Sequence, residues 1–140
     1  MARIIAIDYG TKRTGLAVTD PLQMIAHPLE AIASHELISF LKAYFQQEQV
    51  ESIVLGFPKN LDGGATDATP HVLALQKKLQ ITFPDKPIHL VDERMTSKLA
   101  SQALFLGGMK KKNRQIKGNI DKVSATIILQ SYLETRANLK

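Results

Sequence analysis

The sequence predicts an α/β fold: a five-stranded mixed sheet in the order β-β-β-α-β-α-β-α-α, with helices on both faces. Three observations carry this. Three short apolar segments follow one another closely near the start, which fits an antiparallel meander. Helical and strand patterns then alternate, which calls for parallel strands joined by crossover helices. At 140 residues the chain has the size of one domain, expected to span 1–140.

The elements follow in order. Ile4-Ile5-Ala6-Ile7 marks a buried strand over Arg3–Asp8. A turn at Gly10 leads to Leu16-Ala17-Val18 and a second strand over Thr14–Asp20. Met24–Ile32 reads as the third, and Pro28 places it at an edge or a bulge. Ser34 reads as the N-cap of a helix running to about Gln49, with Leu37, Leu41, Tyr44 and Phe45 on one stripe. Ser52–Leu55 is a short buried strand, stopped by Gly56-Phe57-Pro58 and followed by a polar, turn-rich stretch over 59–64.

A second helix starts between Thr66 and Pro70. Thr69 as cap with Pro70 at the first helical position is the neatest start, and Val72, Leu75 and Leu79 make the inner face. Pro87–Val91 reads as the fifth strand. Thr96 or Ser97 caps a third helix that ends before Gly107-Gly108. Asn119 caps the last helix, with Ile120, Val123, Ile127 and Tyr132 turned inward.

Hydrophobic residues make up 44% of the chain and charged residues 22%, the balance of a water-soluble globular protein. No apolar stretch approaches the roughly 18 residues of a membrane span. The first residues lack the pattern of a signal peptide, and the absence of cysteine excludes disulfides and thiolate metal sites; the expected location is the cytoplasm. Charge is divided unevenly. Residues 1–93 carry 8 Lys/Arg against 11 Asp/Glu, whereas residues 94–140 carry 10 against 2. Five of those cations, Lys110, Lys111, Lys112, Arg114 and Lys117, crowd into eight residues without an acid. A polyanionic partner is implied, most simply nucleic acid.

Three carboxylates stand at element ends. Asp8 closes the first strand beside apolar core, where an uncompensated charge is costly, so it needs a cation, a metal or backbone donors. Glu93 lies just past the fifth strand, and Asp121 lies in the first turn of the last helix. Sites in open sheets form beyond the carboxyl ends of the strands, and a helix start can bring the third acid to the same place. Oxygen ligands of this kind suit Mg²⁺ or Mn²⁺. Two such ions activate a water and stabilise a leaving oxygen, which makes metal-assisted phosphodiester hydrolysis the inferred reaction.

Each residue also has a plainer role. Asp8 could accept turn N–H groups, Glu93 could pair with Arg94 or Lys98, and Asp121 could favour the helix dipole. Strand alternation points Asp92 and Glu93 apart. Lys12, Arg13 and Arg94 would grip phosphates beside an acid cluster and are ordinary surface charges without one. His27, His35, His71 and His89 show no metal-ligand spacing and read as structural or surface groups. Tyr9 reads as core rather than as a platform for a base.

Four motifs together resemble the YqgF/RuvX family: Ile7-Asp8-Tyr9-Gly10-Thr11-Lys12-Arg13-Thr14-Gly15-Leu16-Ala17, Gly56-Phe57-Pro58-Lys59-Asn60-Leu61-Asp62-Gly63, Val91-Asp92-Glu93-Arg94-Met95-Thr96-Ser97, and Asp121-Lys122-Val123-Ser124-Ala125. The resemblance covers about residues 3–135. It implies the RNase H-like fold and a role in maturing the 5′ end of 16S ribosomal RNA, with Holliday junction resolution as the family's other proposed activity. It implies Asp8, Glu93 and Asp121 as metal-binding catalytic acids. One departure from wider RNase H-like practice stands out. Many such nucleases carry an acid on or just after strand four, where this chain has Gly56-Phe57-Pro58, so Glu93 has to substitute from the next strand. Phe57 and Ser97 stand where most members have Leu and Thr.

The expectation is therefore a divalent-metal nuclease acting on structured RNA, with a pre-ribosomal particle as a partner and loop 110–117 gripping the backbone. The alternatives are a resolvase of branched DNA, a sugar-kinase or actin-like ATPase domain, and an RNA-binding assembly factor without catalysis. The ATPase reading needs two such domains, and this length supplies one.

Overall fold

The computed structural model describes residues 2–57, 69–92 and 117–138. Strand β1 spans Arg3–Tyr9, β2 Arg13–Thr19 and β3 Ala26–Ala33. A single 3-10 turn at Ser34–Glu36 leads into α1, Leu37–Gln47. Then come β4 (Val50–Phe57), α2 (Thr69–Thr82), β5 (Ile88–Asp92) and α3 (Lys117–Asn138). The five strands form one sheet in the order β3-β2-β1-β4-β5. The first three pair antiparallel, while β1, β4 and β5 run parallel, so the mixed sheet read from the sequence is the one observed.

The pleat divides the core in two. Ile5, Ile7, Leu16, Ile53 and Leu55 face α1 and α2, where Leu37, Leu41, Val72, Leu75 and Leu79 meet them. Ile4, Ala6, Ala17 and Val54 face the other way and pack under Ala125, Ile128, Leu129 and Leu133 of α3. Full burial of each large aliphatic side chain contributes about 1.5–3 kcal/mol. The stripes expected on α1 and α2 are the ones observed. Among the described residues no helix is long and apolar enough to cross a membrane.

Pro28 sits where its missing N–H is tolerated. β3 is an edge strand, and its pairing with β2 jumps from Leu16↔Glu30 to Ala17↔Pro28, so Leu29 is the extra residue of a bulge.

Four expectations change. Strand β4 is longer than Ser52–Leu55 because its first residue Val50 is buried and pairs with Arg3, beyond the exposed Glu51. Ser34 makes no capping bond; its hydroxyl is engaged by another part of the chain, and Ala33 is the residue that precedes the turn. The last helix begins at Lys117 rather than after Asn119, which removes Lys117 from the basic loop. Packing of a 22-residue helix across the sheet outweighs the local preference of one Asn for a cap. Its inward stripe is also partly rotated: Tyr132 packs against the core beneath α3 as expected, and the Ile120 side chain lies outside the described set. Val123 and Ile127 are half-buried, and the sheet-facing positions are Ala125, Ile128, Leu129 and Leu133. The predicted third helix, between Thr96 and Gly107, lies outside the described residues.

Candidate functional site

Asp8 is the last but one residue of β1, at the carboxyl end of the sheet where β4 and β5 also finish. Alternation along β1 settles which way it points. Ile5 and Ile7 belong to the α1/α2 side and Ile4 and Ala6 to the α3 side, so Asp8 projects toward α3 and Tyr9 toward α1 and α2.

On both neighbouring strands the residue beside Asp8 is a glycine. Its partner across the β1–β2 ladder is Gly15, on the same face. On the parallel side the pairs Ala6↔Val54 and Ile7↔Leu55 bring Gly56 level with Asp8, again on the α3 face. One row below stand Ala6 and Ala17. The carboxylate thus rises from a floor with no side chain on either neighbouring strand. Asp8 is half-buried and does have interaction partners of its own.

The β1–β2 hairpin that carries Asp8 is held from behind. Gly10 N–H donates to the Arg13 carbonyl at 3.0 Å, and Ser34 N–H donates to the Lys12 carbonyl at 2.9 Å. The Ser34 hydroxyl donates to the Gly10 carbonyl and lies 2.8 Å from Thr14 Oγ1, which must supply the hydrogen of that second bond. A Cβ added at Gly10 would lie 2.5 Å from the Arg13 carbonyl oxygen, so the turn closes only around glycine. Lys12 and Arg13 are exposed at the tip of this braced hairpin, close to Asp8 in the chain.

Helix α3 is anchored at its far end. Arg136 Nη1 donates to Gln23 Oε1 at 2.8 Å, and Gln23 Nε2 donates to the Ala2 carbonyl at 2.8 Å and to Glu51 Oε1. Gln23 holds φ at 59°, a left-handed conformation that costs about 1–3 kcal/mol for a residue with a side chain. Three bonds to its amide offset this. They tie the end of α3 to the start of β1, so the helix runs back over the sheet toward the end of that strand. From Arg136 to Asp121 the helix rises about 22 Å. From Ala2 to Asp8 the strand covers about 20 Å. The first turns of α3 therefore lie level with Asp8.

The other predicted site residues fare as follows. Asp121 is the fifth residue of α3, but its side chain lies outside the described set, as does that of Lys117. Glu93, Arg94, Lys110, Lys111, Lys112 and Arg114 lie outside the described residues altogether. Among the described residues, no group of three His, Asp or Glu converges on a cation position. His27, His35 and His71 are exposed, and the His89 ring lies 5.2 Å from that of Tyr132 of α3, tilted by 31°, in keeping with the surface and structural roles expected of them. Tyr9 is half-buried against the α1/α2 core, as expected, yet it also borders a cleft on that side. The sequence reading missed Gly15, Gly56 and the Ser34–Thr14 bond. The hairpin was the available signal: a turn closed by Gly10 and Arg13 puts Tyr9 against Thr14 and Asp8 against Gly15.

The chain is 48% identical over 136 residues to a candidate pre-16S rRNA nuclease of Phocaeicola vulgatus, covering 97% of this chain and 98% of that protein. It is 50% identical over 133 residues to one from Christiangramia forsetii, covering 95% and 98%. In three dimensions it resembles RuvC of Thermus thermophilus, solved in complex with a Holliday junction substrate, with a TM-score of 0.58 over 96% of both chains. At 15% identity that likeness speaks for the RNase H-like fold alone. The model of the RuvX family, described as Holliday junction resolvase, matches residues 2–135. A match of that extent, joined to relatives near half identity along their whole length, makes the chain a member of the RuvX family.

Proposed function

We propose that this protein is a metal-dependent nuclease, one domain over 1–140, that hydrolyses phosphodiester bonds at the 5′ end of pre-16S ribosomal RNA. The observation that carries the reading is Asp8: a carboxylate at the carboxyl end of a parallel strand pair, flanked by Gly15 and Gly56, level with the first turns of α3. Its likeness to candidate pre-16S rRNA nucleases supplies the substrate.

The residues fit a hard divalent cation. Asp8 offers carboxylate oxygens, and the glycines beside it leave room for an ion with its water shell. Asp121 sits on the helix whose start faces the same ground. Glu93 follows β5 and has the sequence parity of His89 and Val91, which face α3. In this reading Asp8, Glu93 and Asp121 hold Mg²⁺ or Mn²⁺, which supplies an activated water and charge stabilisation at the leaving oxygen. Gly56 supplies no acid from strand four, so Glu93 takes that role. Lys12, Arg13 and Arg94 position phosphates, while Lys110, Lys111, Lys112, Arg114 and Lys117 add affinity for the backbone without reading sequence. The setting is a pre-ribosomal particle in the cytoplasm.

The test is cleavage of a pre-16S 5′-end fragment with Mn²⁺ or Mg²⁺, beside a four-way DNA junction, for wild type and Asp8→Asn. Metal-dependent RNA cutting that Asp8→Asn loses by about a hundredfold or more is expected. Preferential cutting of the junction, or full activity in Asp8→Asn, would overturn the proposal.

A further inference from the structure

The opposite face of the sheet carries a cleft of about 340 Å³, a size at which small-molecule sites begin. Tyr9 and Thr11 form one wall, the turn at Ser34–Leu37 another, and α2 the third. On α2 the lining residues His71, Leu75 and Lys78 recur at i, i+4 and i+7, one stripe of the helix. The floor is apolar, from buried Leu37 and Leu75 with the half-buried Tyr9 beside them. The rim carries Lys78, His71 and His35, and among the described residues no carboxylate lines the cleft. Glu36, 3.9 Å from His35 Nε2, is not among the described lining residues. The Ser34 hydroxyl is engaged by Gly10 and Thr14, which leaves the Thr11 and Tyr9 hydroxyls as neutral polar groups.

An apolar floor rimmed by a lysine and two imidazoles suits a ligand that is flat and apolar on one side and anionic on the other. We propose that the cleft binds one nucleotide unit, its base against Tyr9 and Leu75 and its phosphate against Lys78 and His71. Base stacking on an aromatic ring and a cation on phosphate are the standard means of holding single strands. The unit comes from a single strand or from a free mononucleotide. The strand source rests on the nuclease reading above. Tyr9 follows Asp8 across one peptide, about 3.8 Å between Cα atoms, yet faces the other side of the sheet. An RNA strand at Asp8 that passes over the exposed Lys12 and Arg13 arrives at this cleft.

The test is titration of the isotopically labelled full chain, in EDTA, followed by backbone amide NMR. The probes are adenosine 5′-monophosphate, adenosine, inorganic phosphate and a ten-residue oligoadenylate RNA. Saturable shifts at Tyr9 and residues 71–78 with the monophosphate are expected, at least about tenfold tighter than with adenosine or phosphate alone. Lys78→Glu and Ala74→Trp, both exposed on α2, should abolish them while keeping wild-type melting curves. Tighter binding of the oligoadenylate than of the monophosphate identifies the strand as the source, and the reverse order a free nucleotide. Equal binding of inorganic phosphate, shifts that persist in both variants, or no saturable shift would each overturn the proposal. Asp8 and the cleft lie on opposite faces of the sheet, so wild-type protein that binds at the cleft but cuts no RNA counts against the nuclease reading alone.

Discussion

Asp8 stands directly opposite Gly15 across the β1–β2 ladder, and both face the side of the sheet that α3 covers. A side chain at position 15 would enter the space beside the carboxylate. Gly15→Val should therefore lower cleavage about tenfold or more, equivalent to ~1.4 kcal/mol of barrier, with a native circular-dichroism spectrum. Gly15→Ala should lose less. Single-turnover cleavage at saturating Mn²⁺ decides it, and an unimpaired valine variant would show that the space is not used.

The bond between Thr14 and Ser34 braces the hairpin from the other side. Ser34→Ala leaves the buried Thr14 hydroxyl and the Gly10 carbonyl short of a partner, at a cost of about 1–3 kcal/mol. Thr14→Val should cost less on top of Ser34→Ala than alone, because the two act as one unit. Urea unfolding of the two single variants and the double variant measures this coupling, and additive losses would refute it.

Gly10 closes the same turn. A methyl group there lies 2.5 Å from a backbone oxygen that cannot swing aside. Gly10→Ala should destabilise by about 1–3 kcal/mol through overpacking. Because the shift falls on the turn bearing Lys12 and Arg13, RNA affinity should drop with it. Filter binding at several salt concentrations separates this from a loss of charge, since the salt slope should stay unchanged.

Asp20 gathers the β2–β3 turn. Its carboxylate accepts N–H bonds from Leu22, Met24 and Ile25, and the bond from Ile25 leads in holding its pKa below the usual carboxylate value, against a smaller opposing effect of desolvation. A depressed pKa means stabilisation that is complete above the unfolded value, about 3.9, and lost as pH falls through the folded one. Asp20→Asn should thus lower Tm at pH 7, with the gap to wild type narrowing below pH 4. Thermal melts across pH 2–7 check the sign; a gap that widens in acid would contradict it.

Much of this architecture was legible in the residues, for reasons that can be named. Ile4 to Ile7 leave no choice but a strand buried on both faces, and an acid at its end is conspicuous. Pro28 could stand only at an edge or a bulge, and it stands at both. Where local preference competed with distant packing, the reading failed. Ser34 has the composition of a helix cap, but its hydroxyl is used by Gly10 and Thr14, some twenty residues away in sequence. Ala125 hid part of the inner stripe of α3, because a small residue signals burial less strongly than Val123 or Ile127. The candidate site was visible as acids and invisible as space: glycines matter here by what they omit, and only the strand register shows that Gly15 and Gly56 flank Asp8.

The bulge at Leu29 has a protective side. β3 exposes the outermost row of backbone donors and acceptors, where a neighbouring chain could add a strand. Pro28 deletes one donor from that row, the bulge bends the rest out of register, and Glu30 sets an exposed charge alongside. The β3 edge is thereby a poor template for strand addition by a second copy at high local concentration.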